Sequence, residues 1–571
     1  MSIIDWLVMG ITLLAIVSYG MWKSRGTKNI RGFLLADKKL PWYHVGLSVM
    51  ATQASAITFL SAPGLAYSDG MRFLQFYFGL PLAMIVLCIT FIPIFQRLNV
   101  YTAYEYLEKR FDIKTRMLTA FLFLIQRGIS TGITIYAPSI VLSSILRMNI
   151  TYTTLFIGGI VIIYTVYGGT KAVSHTQLFQ MIIIFLGLFC AAFMVIRMLP
   201  EDIGLIDALH IAGKMEKLNL IDTSFDWNNR YNIWSGIIGG FFLQLSYFGT
   251  DQSQVGRYLT GKSITQSRLG LVMNGLVKIP MQFFILLIGT LVFVFFQFHQ
   301  PPVFFNEVEV TNIKNSIYKD EFNKLESNYF ELHGGKLVHL NNLKAGLESN
   351  NEELIKEART QLQSAEKKKN EIKKSVTDLM LKNNSYADTN DTNYIFLSFV
   401  TRNLPVGIIG LLIAIIFLAS MGSTASGLNS LASTTVVDVF KRLINKNASG
   451  RIDLLASRLA TVGWGIFCVI IAIYAGKMGN LLEAVNVLGS LFYGTILGIF
   501  VVAFYMKSVG GKAVFYAALL AEVFVFTSWM LELTAFLWLN VIGCVLVMLF
   551  SYMLQIKRTK RKETGKEIPD S

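Results

Sequence analysis

Small and hydroxyl-bearing side chains crowd two otherwise apolar stretches of the sequence, residues 45–58 and 419–430. The second stretch places four hydroxyl groups within seven residues and an amide just beyond them: Ser420, Ser423, Thr424, Ser426 and Asn429. Hydroxyl and main-chain carbonyl oxygens are ligands that hard cations prefer. Small residues also serve close helix packing, and a hydroxyl can return its hydrogen bond to its own helix. The density of the 419–430 cluster favours a cation site, whereas residues 45–58 fit a helix break and close packing equally well.

Four charged or strongly polar side chains also stand inside apolar segments: Arg127, Gln244, Asp251 and Lys278. A charge in the bilayer is costly, so such residues usually face a cavity or a partner. Lys278 occupies the middle of its segment and is predicted to face a cavity. Arg127 can alternatively extend to the membrane surface, and Asp251 can be solvated there.

The elements that must position these groups are membrane-spanning helices. Hydrophobic residues make up 53% of the 571 residues and charged residues only 15%, whereas a soluble chain carries about 25% charged residues. The apolar residues form continuous runs long enough to cross a bilayer as helices, unlike the alternating segments of a membrane barrel. The sequence therefore predicts an all-α polytopic membrane protein. Its predicted transmembrane helices, about 13 in number, lie near 3–22, 45–68, 73–95, 117–146, 151–168, 176–198, 233–256, 269–298, 403–436, 456–476, 481–506, 512–532 and 534–555.

Charge placement predicts how the chain is oriented. The first apolar segment is not expected to be a cleaved signal, because Asp5 precedes it and no basic region does. Basic residues follow it instead, and they recur in alternate loops and in the tail after Ile556. The positive-inside rule then places the N-terminus outside and the C-terminus in the cytoplasm of a multi-pass protein of the cell membrane, surrounded by lipid. The net charge of +15 mostly reflects this asymmetry, and no nucleic-acid partner is expected because no compact soluble basic domain is apparent.

One long polar segment, residues 304–392, interrupts the membrane pattern and falls outside by the count of spans. Spaced apolar positions over 351–382 predict a long amphipathic helix. A second helix is predicted over about 312–332, ending at residues 333–335, where a histidine precedes two glycines. The two helices can pair as an antiparallel hairpin. The segment is interpreted either as a partner-binding cap or as a solvated insertion in a loop.

No enzymatic function is predicted, because no nucleotide-binding loop, metalloprotease motif or nucleophile elbow is recognised in the sequence. A bundle of membrane helices with polar groups in its interior fits a solute carrier. Such a carrier must draw on an ion gradient or run passively.

Several stretches of the chain occur together, in the same order, in one known family. They lie at 40–42, 104–111, 135–138, 167–173, 254–259 and 428–430. On these motifs the chain resembles the sodium:solute symporter family, which includes sodium/glucose, sodium/proline and sodium/iodide carriers. It is most similar to the iodide, multivitamin and monocarboxylate branch. The resemblance covers nearly the whole chain except residues 304–392 and the tail.

The resemblance implies a five-plus-five inverted repeat of core helices, with one extra helix before the core and two after it. The chain then divides into an N-terminal extra helix and cytoplasmic loop (1–44), a first core repeat (45–198), the start of the second repeat (199–303), an extracytoplasmic helical insertion (304–392), the rest of the second repeat (393–506), and two C-terminal helices with a basic cytoplasmic tail (507–571).

In this family a sodium ion lies between the first and eighth core helices. The resemblance implies that its ligands here are the carbonyl oxygens of Ala51, Ala54 and Ala419 and the hydroxyl of Ser423. Sodium is then the coupling ion, and no further cofactor or metal is implied.

Two positions depart from the family's sodium sites. A second hydroxyl usually stands where this chain has Gly422, and Ser420, Thr424 or a water molecule is the expected substitute. Gln177 stands where some members hold a second sodium ion with an aspartate, so a second sodium ion is not expected at that site.

The positions that hold the solute in sodium/sugar carriers are matched here by Gln53, Thr58, Tyr77, Gln244 and Lys278, with Tyr247 as an aromatic inner gate. Only Lys278 retains the sugar-type residue, so the resemblance implies a small polar or anionic organic solute rather than a galactose-like sugar. Alternating access with sodium symport is the predicted mechanism. A proton-coupled carrier of the same fold and a non-transporting solute sensor stay open as alternatives.

Overall fold

The computed structural model describes residues 1–24, 38–98, 100–445 and 450–563. Over this part of the chain the regular structure is helical, apart from one isolated bridge between Leu40 and Gly261. Residues 25–37 of the predicted N-terminal loop and residues 564–571 of the predicted tail lie outside the described residues.

The described helices of the first half are α1 (Ile3–Ser24), α2 (Trp42–Gln53), α3 (Ala56–Asp69), α4 (Met71–Leu98), α5 (Glu105–Arg110), α6 (Ile113–Leu146), α7 (Ile150–Arg197), α8 (Leu205–Lys214), α9 (Gly240–Thr250, preceded by the wide turn Ser235–Gly239) and α10 (Gln252–Tyr258). Those of the second half are α11 (Ile264–Phe298), α12 (Glu307–Lys314), α13 (Lys319–Glu348), α14 (Glu352–Asn383), α15 (Ile395–Asn403), α16 (Ile408–Thr434, continued by the wide turn Thr435–Ile444), α17 (Gly450–Tyr474), α18 (Leu481–Tyr505), α19 (Gly511–Met530) and α20 (Phe536–Glu563).

Most predicted spans correspond to one long apolar helix, because a helix satisfies its backbone hydrogen bonds internally and so tolerates lipid. Eleven helical segments of the described chain are long and apolar enough to cross a bilayer, and the bent pair α2 and α3 makes twelve. The predicted span at 233–256 is instead divided among a wide turn, α9 and α10, none of which reaches spanning length. The sequence predicts about 13 spans, and the structure has up to twelve among the described residues. The difference is the predicted span at 233–256, where the chain breaks near Asp251.

Helix α7 contains two predicted spans in one element. A hydrogen bond of 3.0 Å joins the hydroxyl groups of Tyr164 and Thr176, which are 12 positions apart. Along a straight α-helix these positions would be about 18 Å apart. The axis of α7 therefore turns back sharply between the apolar segments Ile150–Tyr167 and Val173–Arg197, where the sequence predicted two separate crossings.

The first helix is tied to the start of α16. The Asp5 carboxylate accepts hydrogen bonds from the backbone amides of Gly407 at 2.7 Å and Gly410 at 3.3 Å. The first amides of a helix have no partner within it, and a carboxylate there is stabilising. Asp5 thereby caps a helix whose N-cap residue, Gly407, lies 402 positions later in the sequence, and it fixes α1 against the element that carries the hydroxyl cluster.

The polar segment between α11 and α15 forms an antiparallel pair of long helices, α13 and α14, which pack against each other. The helix predicted over 351–382 is present as α14. The predicted end of the other helix at residues 333–335 is wrong, because α13 runs unbroken from Lys319 to Glu348. A glycine within a helix costs only about 1 kcal/mol relative to alanine, and the buried side chains of Tyr329 and Leu340 on either side hold the helix in place.

Several charged groups are buried on the inner side of this α13–α14 hairpin. The side chain of Lys336 is 0% exposed and donates to Glu366 at 2.6 Å. Neither ring nitrogen of His333 has a hydrogen-bond partner among the described residues. Burial, together with the charges of Lys369 and Lys336, lowers the pKa of His333 to about 4, and His299 adds a weaker effect in the same direction. Burial raises the pKa of Glu366, but Lys336 and Lys369 outweigh it and lower that pKa to about 2.

Acidification is expected to loosen the hairpin. The unfolded segment protonates His333 below its ordinary pKa of 6.5, whereas the folded hairpin does so only near pH 4. Because the unfolded state binds more protons in this window, stability falls as the pH drops from about 6.5 to about 4. Glu366 adds a further loss between its ordinary pKa of 4.5 and about 2.

Hydrogen–deuterium exchange over residues 319–383, corrected for intrinsic rates, should be faster near pH 5 than near pH 7.5. His333→Leu should remove most of that difference, whereas the control His339→Leu on the same helix should keep it. An equal pH effect in both variants would contradict this role of His333.

Candidate functional site

The break between α2 and α3 leaves main-chain carbonyl oxygens without helical hydrogen bonds. The axes of α2 and α3 differ by 59°. In a continuous helix the amide of Ser55 would donate to the Ala51 carbonyl, and the amide of Thr58 would donate to the Ala54 carbonyl. Instead Ser55 donates to Gln53 at 3.0 Å, and Thr58 donates to Ser55 at 2.9 Å. The carbonyls of Ala51 and Ala54 thus both lose their helical donors at the break.

Helix α16 packs against both halves of the broken span. The Ser423 hydroxyl donates to the carbonyls of Ala419 at 2.9 Å and Ser420 at 3.1 Å. The hydroxyl thus donates its hydrogen to its own helix, and the lone pairs of the Ser423 oxygen stay available. Such lone pairs are what a hard cation requires, so the packing role and the ligand role of this hydroxyl are compatible.

A neutral polar cluster on α7 adjoins the same region. The Gln177 amide nitrogen donates to the Thr52 hydroxyl at 3.2 Å, the Gly422 carbonyl at 3.3 Å and the Ser426 hydroxyl at 3.1 Å. Its amide oxygen accepts from Ser48 at 2.6 Å. One buried side chain therefore links α2, α7 and α16 through hydrogen bonds and without a charge.

A cavity lies beside the break, between α2, α3, α4, α6, α9, α16 and α18. Among the residues that line it are Ser423 and five of the predicted solute-binding residues: Gln53, Thr58, Tyr77, Gln244 and Tyr247. The Gln53 amide nitrogen donates to the Gln244 amide oxygen at 3.5 Å. The other amide atoms of this pair, Gln53 Oε1 and Gln244 Nε2, have no hydrogen-bond partner within the described chain. One acceptor and one donor are thus available to a ligand at the cavity wall.

Lys278, the sixth predicted solute-binding residue, does not line this cavity. It is fully buried in α11, and its ammonium nitrogen has no hydrogen-bond partner among the residues that the structure describes. The nitrogen lies 5.6 Å from the ring centre of Tyr77, which does line the cavity. The ammonium group therefore contacts the cavity wall rather than the cavity.

A charged network forms part of the cavity wall through Arg127, Tyr247 and Tyr493. Arg127 on α6 forms an ion pair with Asp251, which stands at the break between α9 and α10. The Tyr493 hydroxyl donates to the same carboxylate at 2.8 Å. The Arg127 guanidinium lies 5.5 Å from the ring centre of Tyr247, whose hydroxyl accepts from Gln254 at 2.7 Å. Three separate parts of the bundle meet at this network, and Arg127 and Asp251, for which the sequence left a surface position open, are instead buried and paired with each other.

The sequence interpretation missed part of the cavity wall. The missed lining residues include hydroxyls on α6 and polar groups on α18: Ser130, Thr131, Thr134, Asn486 and Tyr493. The α6 hydroxyls follow the pattern used for the 419–430 cluster, three hydroxyls within five residues of an apolar span. That signal was present in the sequence, whereas Tyr493 and Asn486 are lone residues without a local pattern.

Two short patterns correct the expectation that no enzyme motif is present. Residues 256–263 match the sequence motif of a phosphate-binding loop at every defined position, and residues 128–132 match the motif of a nucleophile elbow. Both motifs require a strand before the loop. Here the first pattern joins α10 to α11, and the second lies inside α6. A Cβ atom at Gly128 would meet Trp464 at 2.8 Å, so this glycine serves the packing of α6 against α17.

Comparison with known proteins gives one family. The family model for the sodium:solute symporter family matches residues 33–316 and 379–521. The interruption removes most of the α13–α14 hairpin. The match otherwise includes the broken span, the cavity wall and α16.

Individual relatives are similar at lower identity. The chain is 31% identical to the sodium/iodide cotransporter of Homo sapiens over 273 residues, which is 47% of this chain and 42% of that protein. It is 26% identical to the sodium-dependent multivitamin transporter of Oryctolagus cuniculus over 503 residues, 87% of this chain and 66% of that protein. The chain thus spans less than two thirds of either protein. It is also 24% identical to the sodium/sialic acid symporter NanT of Aliivibrio fischeri, over 94% of this chain and 90% of that protein.

A solved structure of a Na⁺-coupled sialic acid symporter in a substrate-bound outward-open state superposes with a TM-score of 0.74. The sequence identity is 22%, and the alignment covers 97% of this chain and 98% of that chain. At this identity the likeness establishes the fold. It confirms the predicted inverted-repeat transporter core.

Proposed function

Because this chain belongs to the sodium:solute symporter family, we propose that it imports a small polar or anionic organic solute together with sodium by alternating access. One observation carries the proposal: the two bared carbonyls at the break in the α2–α3 span lie in a span that packs against α16, and a polar cavity adjoins both. We assign the sodium site to the carbonyl oxygens of Ala51, Ala54 and Ala419 and the hydroxyl of Ser423.

The chemistry of the cavity supports the proposed solute class. Its lining combines amides, hydroxyls and aromatic rings with one cationic side chain, Arg127. We assign direct solute contacts to Gln53, Thr58, Gln244 and the rings of Tyr77 and Tyr247. Lys278 is assigned an indirect role, in which its charge favours an anionic solute across the Tyr77 ring.

Neutral oxygens favour sodium over a proton as the coupling ion. Within the described chain, the residues that line the cavity include no carboxylate and no histidine, which are the usual carriers of a coupling proton. The amide of Gln177 stands where a second sodium ion is held in some relatives, and its nitrogen, which has two hydrogens to donate, lies within hydrogen-bond distance of three oxygens there. We therefore propose a single sodium ion per cycle at the α2–α16 site.

Transport then follows from a difference in sodium affinity between two conformations. The sodium ion holds the broken span against α16 and stabilises the state in which the cavity is open to the outside. The Arg127–Asp251 network seals the opposite end, and its separation opens the cavity inward. Coupling must be reciprocal, so solute should tighten sodium binding by the factor by which sodium tightens solute binding.

We further propose that the protein resides in the cell membrane with its N-terminus outside and its C-terminus in the cytoplasm. The basic loops support this orientation. In it the α13–α14 hairpin lies outside and the Arg127–Asp251 network lies toward the cytoplasm.

Uptake into proteoliposomes tests the proposed function. Purified protein should accumulate at least one member of a panel of labelled sugars, carboxylates, amino acids and halides when an inward sodium gradient is imposed. Collapse of the sodium gradient should abolish accumulation. Accumulation driven by a pH gradient without sodium would favour the proton-coupled alternative, and solute binding without accumulation would favour the sensor.

A further inference from the structure

An apolar groove with a volume of about 190 Å³ lies between α1, α6, α7 and α16. The Ser420 hydroxyl and the Trp6 indole are the only polar side-chain groups among the described residues that line it. Phe156 and Ile160 at its edge are 59% and 40% exposed, so the groove opens toward the surrounding bilayer. An apolar space of this size stays dry and accepts an apolar guest.

A polar pocket of about 220 Å³ lies between the end of α6 and α15. The charged side chains that line it are Arg147, Arg402 and Glu307. Arg402 forms an ion pair with Glu307 at 2.7 Å, so no carboxylate in the pocket remains for Arg147. The polar pocket therefore carries an excess of positive charge, which favours an anion.

Two hydroxyl groups in the polar pocket lack hydrogen-bond partners within the described chain. Ser398 on α15 is 5% exposed and its Oγ atom is unpartnered, as is the buried Oγ atom of Ser144 at the end of α6. Buried polar atoms nearly always have a partner, and exceptions call for a bound ligand or water. A hydroxyl group can donate to the oxygen atoms of a phosphate.

The apolar groove and the polar pocket follow one face of α6. Pro138 and Leu142 line the groove, and Ile145 lines the pocket. Residues spaced by four and then three positions lie on the same face of a helix. Arg147 follows Pro138 by nine positions, which corresponds to about 14 Å along the helix axis. A positively charged pocket thus stands at the end of an apolar groove, in the order in which a phospholipid carries its phosphate and its acyl chain.

We propose that the apolar groove and the polar pocket together bind one anionic phospholipid of the outer leaflet. Its phosphate contacts Arg147 and Ser398, because arginine and hydroxyl groups are strong donors to phosphate oxygens. One acyl chain fills the groove and contacts α1, α6, α7 and α16. Trp6 lies beside the groove near the start of α1, where tryptophan residues favour the boundary between lipid and water. The site is separate from the solute cavity and does not depend on the identity of the solute.

Native mass spectrometry of the purified full-length protein, stripped of lipid in detergent, tests the proposal. Phosphatidylglycerol, which is anionic, should bind more tightly than zwitterionic phosphatidylcholine with the same acyl chains. Arg147→Asn should weaken phosphatidylglycerol binding about fivefold and remove this preference, because one arginine near an anionic headgroup contributes about that factor. Asparagine suits this position, because Arg147 has a φ of 51° and asparagine tolerates the left-handed conformation.

A second variant tests the apolar groove. Ile160→Trp places an indole where the acyl chain is proposed to lie, so it should weaken the binding of both lipids to a similar extent. Ile163→Trp is the matched control, because Ile163 lies on the same helix, is 61% exposed and does not line the groove. Arg197→Asn is the control for charge, because Arg197 is exposed at the end of α7 and does not line the polar pocket. Both controls should bind lipid as the wild-type protein does.

Three results would overturn the proposal. The first is equal affinity of the wild-type protein for the two lipids. The second is an unchanged affinity for phosphatidylglycerol in Arg147→Asn or in Ile160→Trp. The third is displacement of the lipid by excess inorganic phosphate, which would show that the polar pocket holds a free anion without help from the groove.

Discussion

Asp251→Asn is expected to abolish most sodium-driven uptake and to lower the melting temperature of the purified protein. The Asp251 side chain is 0% exposed and that of Arg127 is 12% exposed. Neutralising one partner of a buried ion pair leaves the other charge without compensation and costs about 3–5 kcal/mol. The conformation that contains the network is destabilised by that amount, so, under the proposed mechanism, the cavity no longer closes at this network. Hydrogen exchange over α10, residues 252–258, should report the opening.

A double-mutant cycle separates this effect from general damage. Arg127→Gln alone should also be severe, whereas the double variant should lose less stability than the two single losses predict together. The pair Arg230–Glu483 is the control, because the Arg230 side chain is 62% exposed and an exposed pair contributes about 1 kcal/mol or less. Strict additivity of the Arg127 and Asp251 effects would show that the two charges do not act as one closing element.

Ser423→Ala should raise the sodium concentration that gives half-maximal uptake by roughly 10- to 150-fold. The estimate follows from about 1.5–3 kcal/mol for one oxygen that interacts with a charge and from tenfold per 1.4 kcal/mol. The variant should fold normally, because the Ser423 hydroxyl donates only to carbonyls of its own helix, and its loss breaks no hydrogen bond between helices. Ser423→Thr keeps the oxygen and should retain sodium activation.

Ser430→Ala supplies the matched control for this prediction. Ser430 is buried on the same helix and donates to the Gly427 carbonyl at 2.7 Å, but it does not line the cavity. Its variant should show wild-type sodium activation. Equal sodium dependence in Ser423→Ala and wild-type protein would remove Ser423 from the ligand set.

Local composition predicted the bundle of membrane helices and gave a helix break within residues 45–58 as one of two interpretations, whereas the inverted-repeat transporter core followed from the family resemblance. Small and polar residues around Ala54 and Ser55 are compatible with a helix break, and the chain bends there by 59°. The hydroxyl cluster at 419–430 likewise lies against that break. Both features depend on residues that are neighbours in the sequence, which is why composition could indicate them before the structure distinguished the break from close packing.

The remaining features depend on contacts between distant residues. Arg127 and Asp251 are 124 positions apart, so no window of sequence reports their pairing, and each was compatible with the membrane surface. Lys278 was predicted to face the cavity because it lies in mid-span, but its side chain packs near the ring of Tyr77 and does not line the cavity. The helix α13 continues through its glycines because tertiary packing outweighs local propensity.

We propose that carbonyl oxygens left without helical donors at the α2–α3 break, together with the Ser423 hydroxyl, bind sodium. High-resolution cryo-electron microscopy in sodium and in choline tests it most directly. In sodium we expect a density peak enclosed by the carbonyls of Ala51, Ala54 and Ala419 and the hydroxyl of Ser423, and in choline we expect no such peak. An empty site under conditions that support sodium-driven uptake, or a straight helix through residues 51–58, would contradict it.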